Sequence, residues 1–166
     1  MKIELKKISF NERMSDETNC FIADLYIDGK KVGYAQNEGR GGPTDYRGDT
    51  KADNVLIAKA EKYCKTLPKV KYHDMEWEQS LEGVIDDLLT EYLVAKEAKK
   101  KLKMYEKAIC YGIPNAPSYR TVYWKGRVLK GVPLPYLQKA YDDVKAKLGK
   151  NEVILNTNLV ALGINL

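Results

Sequence analysis

The chain has 166 residues, 44% hydrophobic and 31% charged, with a net charge of +5. That is the composition of a globular protein long enough to bury a core without disulfide staples. No apolar run approaches the roughly 20 residues of a membrane-spanning helix, and Met1-Lys2-Ile3-Glu4-Leu5-Lys6-Lys7 alternates charged with apolar residues instead of forming the apolar stretch of a secretory signal. Cys20, Cys64 and Cys110 are widely spaced and odd in number, which argues against a disulfide framework and a zinc knuckle. The expectation is a soluble cytoplasmic protein with reduced thiols and no membrane partner.

In chain order, residues 2–10 read as a strand. Ile3 and Leu5 share one face, Ile8 and Phe10 fall out of phase, and a bulge at Lys6-Lys7 restores them. Asn11 to Asn19 is a polar connection. Residues 20–27 alternate Phe21, Ala23, Leu25 and Ile27 inward, Asp28-Gly29 suits a tight hairpin turn, and 31–36 return as the partner strand. Together these predict a three-stranded antiparallel meander. Asn37 to Asp49 is rich in glycine and reads as a loop. Thr50 caps a helix with Asp53 in its first turn, Leu56, Ala60, Tyr63, Cys64 and Leu67 on its apolar face, and Pro68 at its end.

A short extended segment leads to a long helix from about Trp77 to Lys107. Its stripe is Trp77, Leu81, Val84, Ile85, Leu88, Tyr92, Ala95 and Leu102. A strand from Ala108 to Ile113 is expected next, then a hairpin pairing Tyr119–Trp124 with Val128-Leu129 across Lys125-Gly126-Arg127. Pro133 and Pro135 introduce a helix with Leu137, Ala140, Tyr141, Val144 and Leu148 inward and Gly149 as C-cap. Glu152 to Leu155 is a short buried strand, and Asn156 caps a last helical turn stopped at Gly163. The fold class is α+β: an N-terminal three-stranded antiparallel meander, two central helices (one long), and a C-terminal β-hairpin, helix and short strand. The expected lobes are 1–107 and 108–166, separate or packed as one domain.

Catalytic signatures are absent. The one histidine, His73, sits beside Asp74 and lacks a nucleophile or metal-ligand pattern; the cysteines fall on apolar faces; and the paired acids Asp86-Asp87 and Asp142-Asp143 point apart on their helices. No enzyme, cofactor or metal is expected, although acids from distant segments could still converge on an ion.

Two features point to binding instead. The first is the loop Asn37–Asp49, where Arg40, Gly41, Gly42, Tyr46 and Arg47 could meet a partner, or its amides an anion. The structural alternative is a stiffened connection in which Arg40 and Arg47 pair with Glu38, Asp45 or Asp49. The second is a basic, aromatic segment. Leu93 to Lys150 holds 14 Lys or Arg against four acids, whereas the rest of the chain has 14 basic and 19 acidic residues. Lys99, Lys100, Lys101, Lys103, Lys107, Arg120, Lys125 and Arg127 interleave with Tyr119, Tyr123 and Trp124, the residue types that hold single-stranded nucleic acid by phosphate contact and base stacking. Part of this has a structural explanation, since acids at the start of the long helix and lysines at its end both complement the helix dipole.

The run FIADLYIDGKKVGYAQNEGRGGPTDYRGD and the closing VILNTNLVALGI resemble a block found in small accessory proteins of bacteriophages and other mobile elements. The resemblance covers about the first 70 and last 15 residues and offers no activity from which site residues could be carried over. It implies an anti-defence role: a non-enzymatic phage protein that binds and inhibits a host defence complex, such as an RNA-guided CRISPR nuclease, through protein or RNA contacts. The alternatives are a small single-stranded nucleic-acid-binding module and a phosphate-handling enzyme using the glycine loop.

Overall fold

The computed structural model describes residues 1–72 and 75–166. His73 and Asp74, weighed above as chemistry, lie outside the described residues. The chain divides into two compact units, Met1–Val94 and Ala95–Leu166, each with its own apolar cluster. The division falls inside the long helix, upstream of the break expected at residue 107.

The first unit is an antiparallel sheet ordered β1 (Ile3–Phe10), β2 (Phe21–Ile27), β3 (Lys30–Asn37), β4 (Asp45–Gly48). The α+β class and the meander of β1 to β3 stand as expected. Ile3 lies opposite Ile27 and Leu5 opposite Leu25, then the register shifts between Lys6 and Ser9 so that Phe10 meets Phe21. Lys7, at φ 50°, absorbs the extra residue, so both pairs of β1 apolar residues reach the core. Asp28 and Gly29 take φ of 48° and 81° in a two-residue hairpin loop whose twist matches its strands. Fully buried side chains such as Leu25 each contribute about 1.5–3 kcal/mol by leaving water.

The fourth strand corrects the reading of 37–49 as a loop. Tyr46 pairs with Ala35 and Arg47 with Tyr34. The pairing is possible because β3 carries glycine at the crossing: a β-carbon on Gly33 would stand 1.9 Å from the Arg47 carbonyl oxygen.

Helix α1 (Lys51–Cys64) starts as expected, with the Thr50 hydroxyl accepting from the Asp53 amide. Its buried line is Asp53, Ile57, Ala60 and Cys64, rotated from the expected stripe, so Leu56 lies at its margin. The rotation follows Asp53, which is drawn inward by the Lys30 ammonium at 2.7 Å and the Thr50 hydroxyl at 2.6 Å. The extended segment after Pro68 is a hairpin, β5 (Val70–Tyr72) with β6 (Met75–Trp77). Trp77 therefore does not open the long helix: it lies opposite Val70 and is 56% exposed. The helix, α2 (Leu81–Tyr105), begins one residue after Ser80, whose hydroxyl accepts from the Gly83 amide. Leu81, Ile85 and Leu89 are buried, while Tyr92 and Leu102 of the expected stripe are exposed.

In the second unit β7 (Ala108–Gly112) lies between β8 (Arg120–Tyr123) and β9 (Val153–Ile154), antiparallel to both. This corrects the expected hairpin, since β8 pairs with β7 and not with Val128-Leu129. Leu129 gives its amide to the Glu106 carbonyl and turns into a short 3-10 segment, Leu129–Gly131, just before Pro133. A buried run such as β7 is the better strand partner, because nearly every side chain it carries leaves water. Helix α3 (Leu134–Lys145) buries Leu137, Tyr141 and Val144 as expected. Its C-cap is Ala146, not Gly149; the Gly149 amide instead donates to Glu152. The last turn, Val160–Leu162, does stop at Gly163, at φ 86°.

Asn156 does not cap that turn. Its side-chain oxygen accepts from the Cys110 amide at 2.6 Å, and its side-chain nitrogen donates to the Tyr105 and Ala108 carbonyls at 3.1 and 2.9 Å. Asn158 donates to Tyr105 as well, at 3.0 Å. These amides satisfy the end of α2, where no glycine is available to do so.

Gly33→Ala should lower stability by about 1–3 kcal/mol, the range for overpacking, whereas Gly42→Ala, whose added carbon meets nothing within 4 Å, should leave it unchanged. Thermal unfolding of the two variants side by side checks the close approach. Asn156→Ala removes the acceptor of the buried Cys110 strand amide and one donor from the Ala108 carbonyl, leaving the Tyr105 carbonyl to Asn158 alone, with an expected loss of about 1–3 kcal/mol. Denaturant titration followed by Trp124 fluorescence, with Trp77→Phe in both proteins, measures it.

Candidate functional site

The sequence-selected basic and aromatic residues of the second unit converge in part on one groove of about 540 Å³. Strand alternation builds it. Val122 and Trp124 turn toward the apolar cluster, while Thr121 and Tyr123 line the groove from the other face of β8. Tyr123 is 69% exposed. Trp124 also reaches the groove, with its ring body held against the cluster. Met104, Ala108 and Val128 supply apolar lining.

Three cations stand around it. Lys107 follows the end of α2, where its amide bonds the Met104 carbonyl at 2.9 Å. Lys125 and Arg127 flank Gly126 in a tight turn closed by the Arg127 amide on the Trp124 carbonyl, with Gly126 at φ 74°. Among the described residues none of the three is in an ion pair. Groups of this kind, charged and uncommitted beside an open ring, can take a phosphate and a base without first breaking an internal bond.

The other predicted residues divide. Lys99, Lys100 and Lys103 are exposed on α2 and Lys101 is half-buried. Lys100 lies 3.8 Å from Glu97, a loose pair. By helical spacing Lys100 and Lys103 precede Met104 and Lys107 by one turn, which extends the basic track away from the groove. Arg120 is committed elsewhere. It pairs with Glu152 and stacks over Tyr111 at 4.6 Å, tying β8 to the start of β9. The Gly149 amide and Arg120 together hold the Glu152 carboxyl below the usual range. Tyr119 is half-buried and outside the groove lining. Sequence reasoning missed Met104, Thr121 and Val128. The first lay unmarked among lysines, and the third was assigned to a strand.

In the first unit Gly41, Gly42, Arg40 and Arg47 are exposed, and neither arginine is in an ion pair among the described residues. The expected pairing of Arg40 and Arg47 with Glu38, Asp45 or Asp49 is therefore absent there. Tyr46 is not a free contact, because its half-buried phenol donates to Glu61 at 2.9 Å and burial pushes its pKa up to about 12. Nor do the loop amides converge on open space. Those of Gly39 and Gly41 donate to Asn37 and Thr18, and that of Thr44 to Glu82. Arg40 and Arg47 stand on different elements, the loop and β4, with the Asn37-centred bonds between them.

Beside this loop a cleft of about 250 Å³ is lined by Thr18, Asn37, Thr44, Glu82, Asp86 and Thr90 among others. The Thr44 hydroxyl donates to Asp86 at 2.7 Å. Loss of hydration raises the Asp86 pKa, and Glu82 and Asp87 add to the rise, against the Thr44 bond, which lowers it. Among the described residues no three His, Cys, Asp or Glu side chains cluster to hold a metal ion, and no helix is long and apolar enough to cross a membrane.

The chain matches no protein-family model, no curated protein and no solved structure.

The raised Asp86 carboxyl has a defined consequence for stability. A group whose folded pKa exceeds its unfolded value favours the folded state fully only below the unfolded pKa, and this contribution is lost as pH rises through the folded pKa. At neutral pH Asp86→Asn, which keeps an acceptor for Thr44, should unfold at a higher temperature than the parent. The difference should disappear under acid conditions where Asp86 is protonated in both states. Calorimetry across that pH range reads it.

Proposed function

We propose that the chain is a non-enzymatic binding protein whose Ala95–Leu166 unit holds single-stranded RNA, with Tyr123 as the stacking platform and Lys107, Lys125 and Arg127 on the phosphates. The observation that carries the reading is the set of three uncommitted cations around one open aromatic groove. Aromatic stacking tolerates any base, because every base has a π-face, and the cations contribute through counterion release. The glycine loop offers a phosphate little by comparison, since its amides at Gly39, Gly41 and Thr44 are already bonded and the adjoining cleft carries Glu82 and Asp86.

The resemblance to phage accessory proteins supports a use for such a groove: occupying the RNA of a host defence complex, such as an RNA-guided CRISPR nuclease, and so inhibiting it. Exposed Arg40 and Arg47 in the first unit would serve contacts to the protein part of that complex.

Fluorescence anisotropy with a short labelled RNA tests the RNA contact. With three phosphate contacts, affinity should fall roughly ten- to twenty-fold between 50 and 200 mM salt. Tyr123→Ala should cost about 1–3 kcal/mol, and Lys125→Ala with Arg127→Ala should flatten the salt dependence. Arg40→Ala and Arg47→Ala should leave RNA affinity unchanged. Absence of binding at micromolar protein in low salt would remove the reading. In a cleavage assay with an RNA-guided nuclease that the parent chain inhibits, the groove variants should restore cutting.

A further inference from the structure

A second cleft adjoins the groove. It encloses about 300 Å³ between Glu106, Val128, Lys130, Asn158 and Leu162, and it shares Val128 with the first. Its size is at the low end for small-molecule sites. Val128 and Leu162 give it apolar walls, and Lys130, like the groove cations, is in no ion pair among the described residues.

Glu106 sets this cleft apart. From Leu93 to Lys150 there are four acids. Of these, Glu97 is paired with Lys100, and Asp142 and Asp143 lie on α3. Glu106 alone lines either cleft, and its carboxylate has no partner among the described residues. A carboxylate beside a phosphate track weakens general affinity by repulsion, so what it can add is discrimination.

The chemistry of that discrimination is narrow. An ionised carboxylate only accepts, and its two oxygens suit two parallel N–H donors. Among the four bases guanine alone presents two adjacent donors on its pairing edge, the ring N1–H and the exocyclic amine. Adenine and cytosine place a bare ring nitrogen next to their amine, and uracil flanks its single N–H with two carbonyl oxygens, so each would turn a lone pair toward the carboxylate. The Asn158 amide is not available to compete, because it is engaged with the Tyr105 carbonyl and with Asn156.

We infer that this cleft is a guanine subsite: with one base stacked on Tyr123, a neighbouring guanine enters between Val128 and Leu162 and is read by Glu106, while Lys130 meets its phosphate. The inference rests on the proposed single-strand reading of the groove and adds a base preference to it.

The test uses the full chain and two labelled RNAs of equal length, oligouridine and the same strand with one internal guanosine. The parent should bind the guanosine strand at least about five-fold more tightly, the lower bound for a well-formed bidentate base contact. Glu106→Gln, an exposed substitution that cannot accept two parallel bonds, should abolish that preference. It should leave oligouridine binding unchanged or slightly tighter. Equal affinity of the parent for both strands, or a preference that survives E106Q, overturns the subsite while leaving the groove reading intact. Failure of the parent to bind either strand overturns the groove reading itself. Guanosine monophosphate should compete poorly, because it cannot span to Lys107 and Arg127. Competition as strong as that of the guanosine strand would mark a site for a free nucleotide and overturn the strand inference.

Discussion

The second unit depends on the side chain of Asn156. One amide group closes three backbone positions at once, the Cys110 N–H and the Tyr105 and Ala108 carbonyls, at the junction where α2 gives way to β7. Each of those groups is at a helix end or in a strand buried on both faces, where an unmade bond costs about 1–3 kcal/mol. Neighbouring bonds act in the same place. Leu155 donates to the Cys110 carbonyl and Leu129 to the Glu106 carbonyl. Together they set where Met104 and Lys107 stand beside β8, and thus the existence of the groove. The Glu106 and Leu162 walls of the second cleft hang from the same junction.

In the first unit the corresponding constraint is the close pairing of β3 with β4. Gly33 admits the Arg47 carbonyl, and Asn37 folds the glycine loop by accepting from Gly39 and Thr18 and donating to Gly42 and Thr44. A loop tied this way is ordered by its own polar groups, which leaves the Gly39, Gly41 and Thr44 amides bonded and Arg40 in no ion pair among the described residues. The contrast with Arg120 is instructive: the same residue type, on β8, is consumed by Glu152 and Tyr111. Charge alone does not distinguish an available cation from a structural one. The difference is whether a carboxylate lies within reach in the folded chain.

Local chemistry was legible wherever one short segment carried the whole instruction. The period-2 run from Phe21 to Ile27, the Asp28-Gly29 turn, the bulge after Lys6, the Thr50 cap and the Leu137-Tyr141-Val144 stripe each follow from sterics, solvation or hydrogen bonding among near neighbours. The basic, aromatic character of Lys99 to Arg127 belongs with these, since composition is a property of sequence. Trp77 was misassigned because its spacing to Leu81 mimics a helical repeat, whereas Ser80, a cap residue lying between them, marks the true start.

What only the tertiary structure decided are the choices among distant partners. The pairing of β8 with β7 over Val128-Leu129, the fourth strand Asp45–Gly48, and the assignment of Asn156 to a helix end far back in the chain are all competitions between segments of similar local preference. They are won by the arrangement that buries more apolar surface and leaves fewer polar groups unpaired. The same competition determined which cations remained free. The amino-acid order by itself determined the β1 to β3 meander, the Asp28-Gly29 turn, the Thr50 cap and the density of positive charge, because these need only neighbours. Which of those charges face an open groove depends on contacts that neighbours cannot specify.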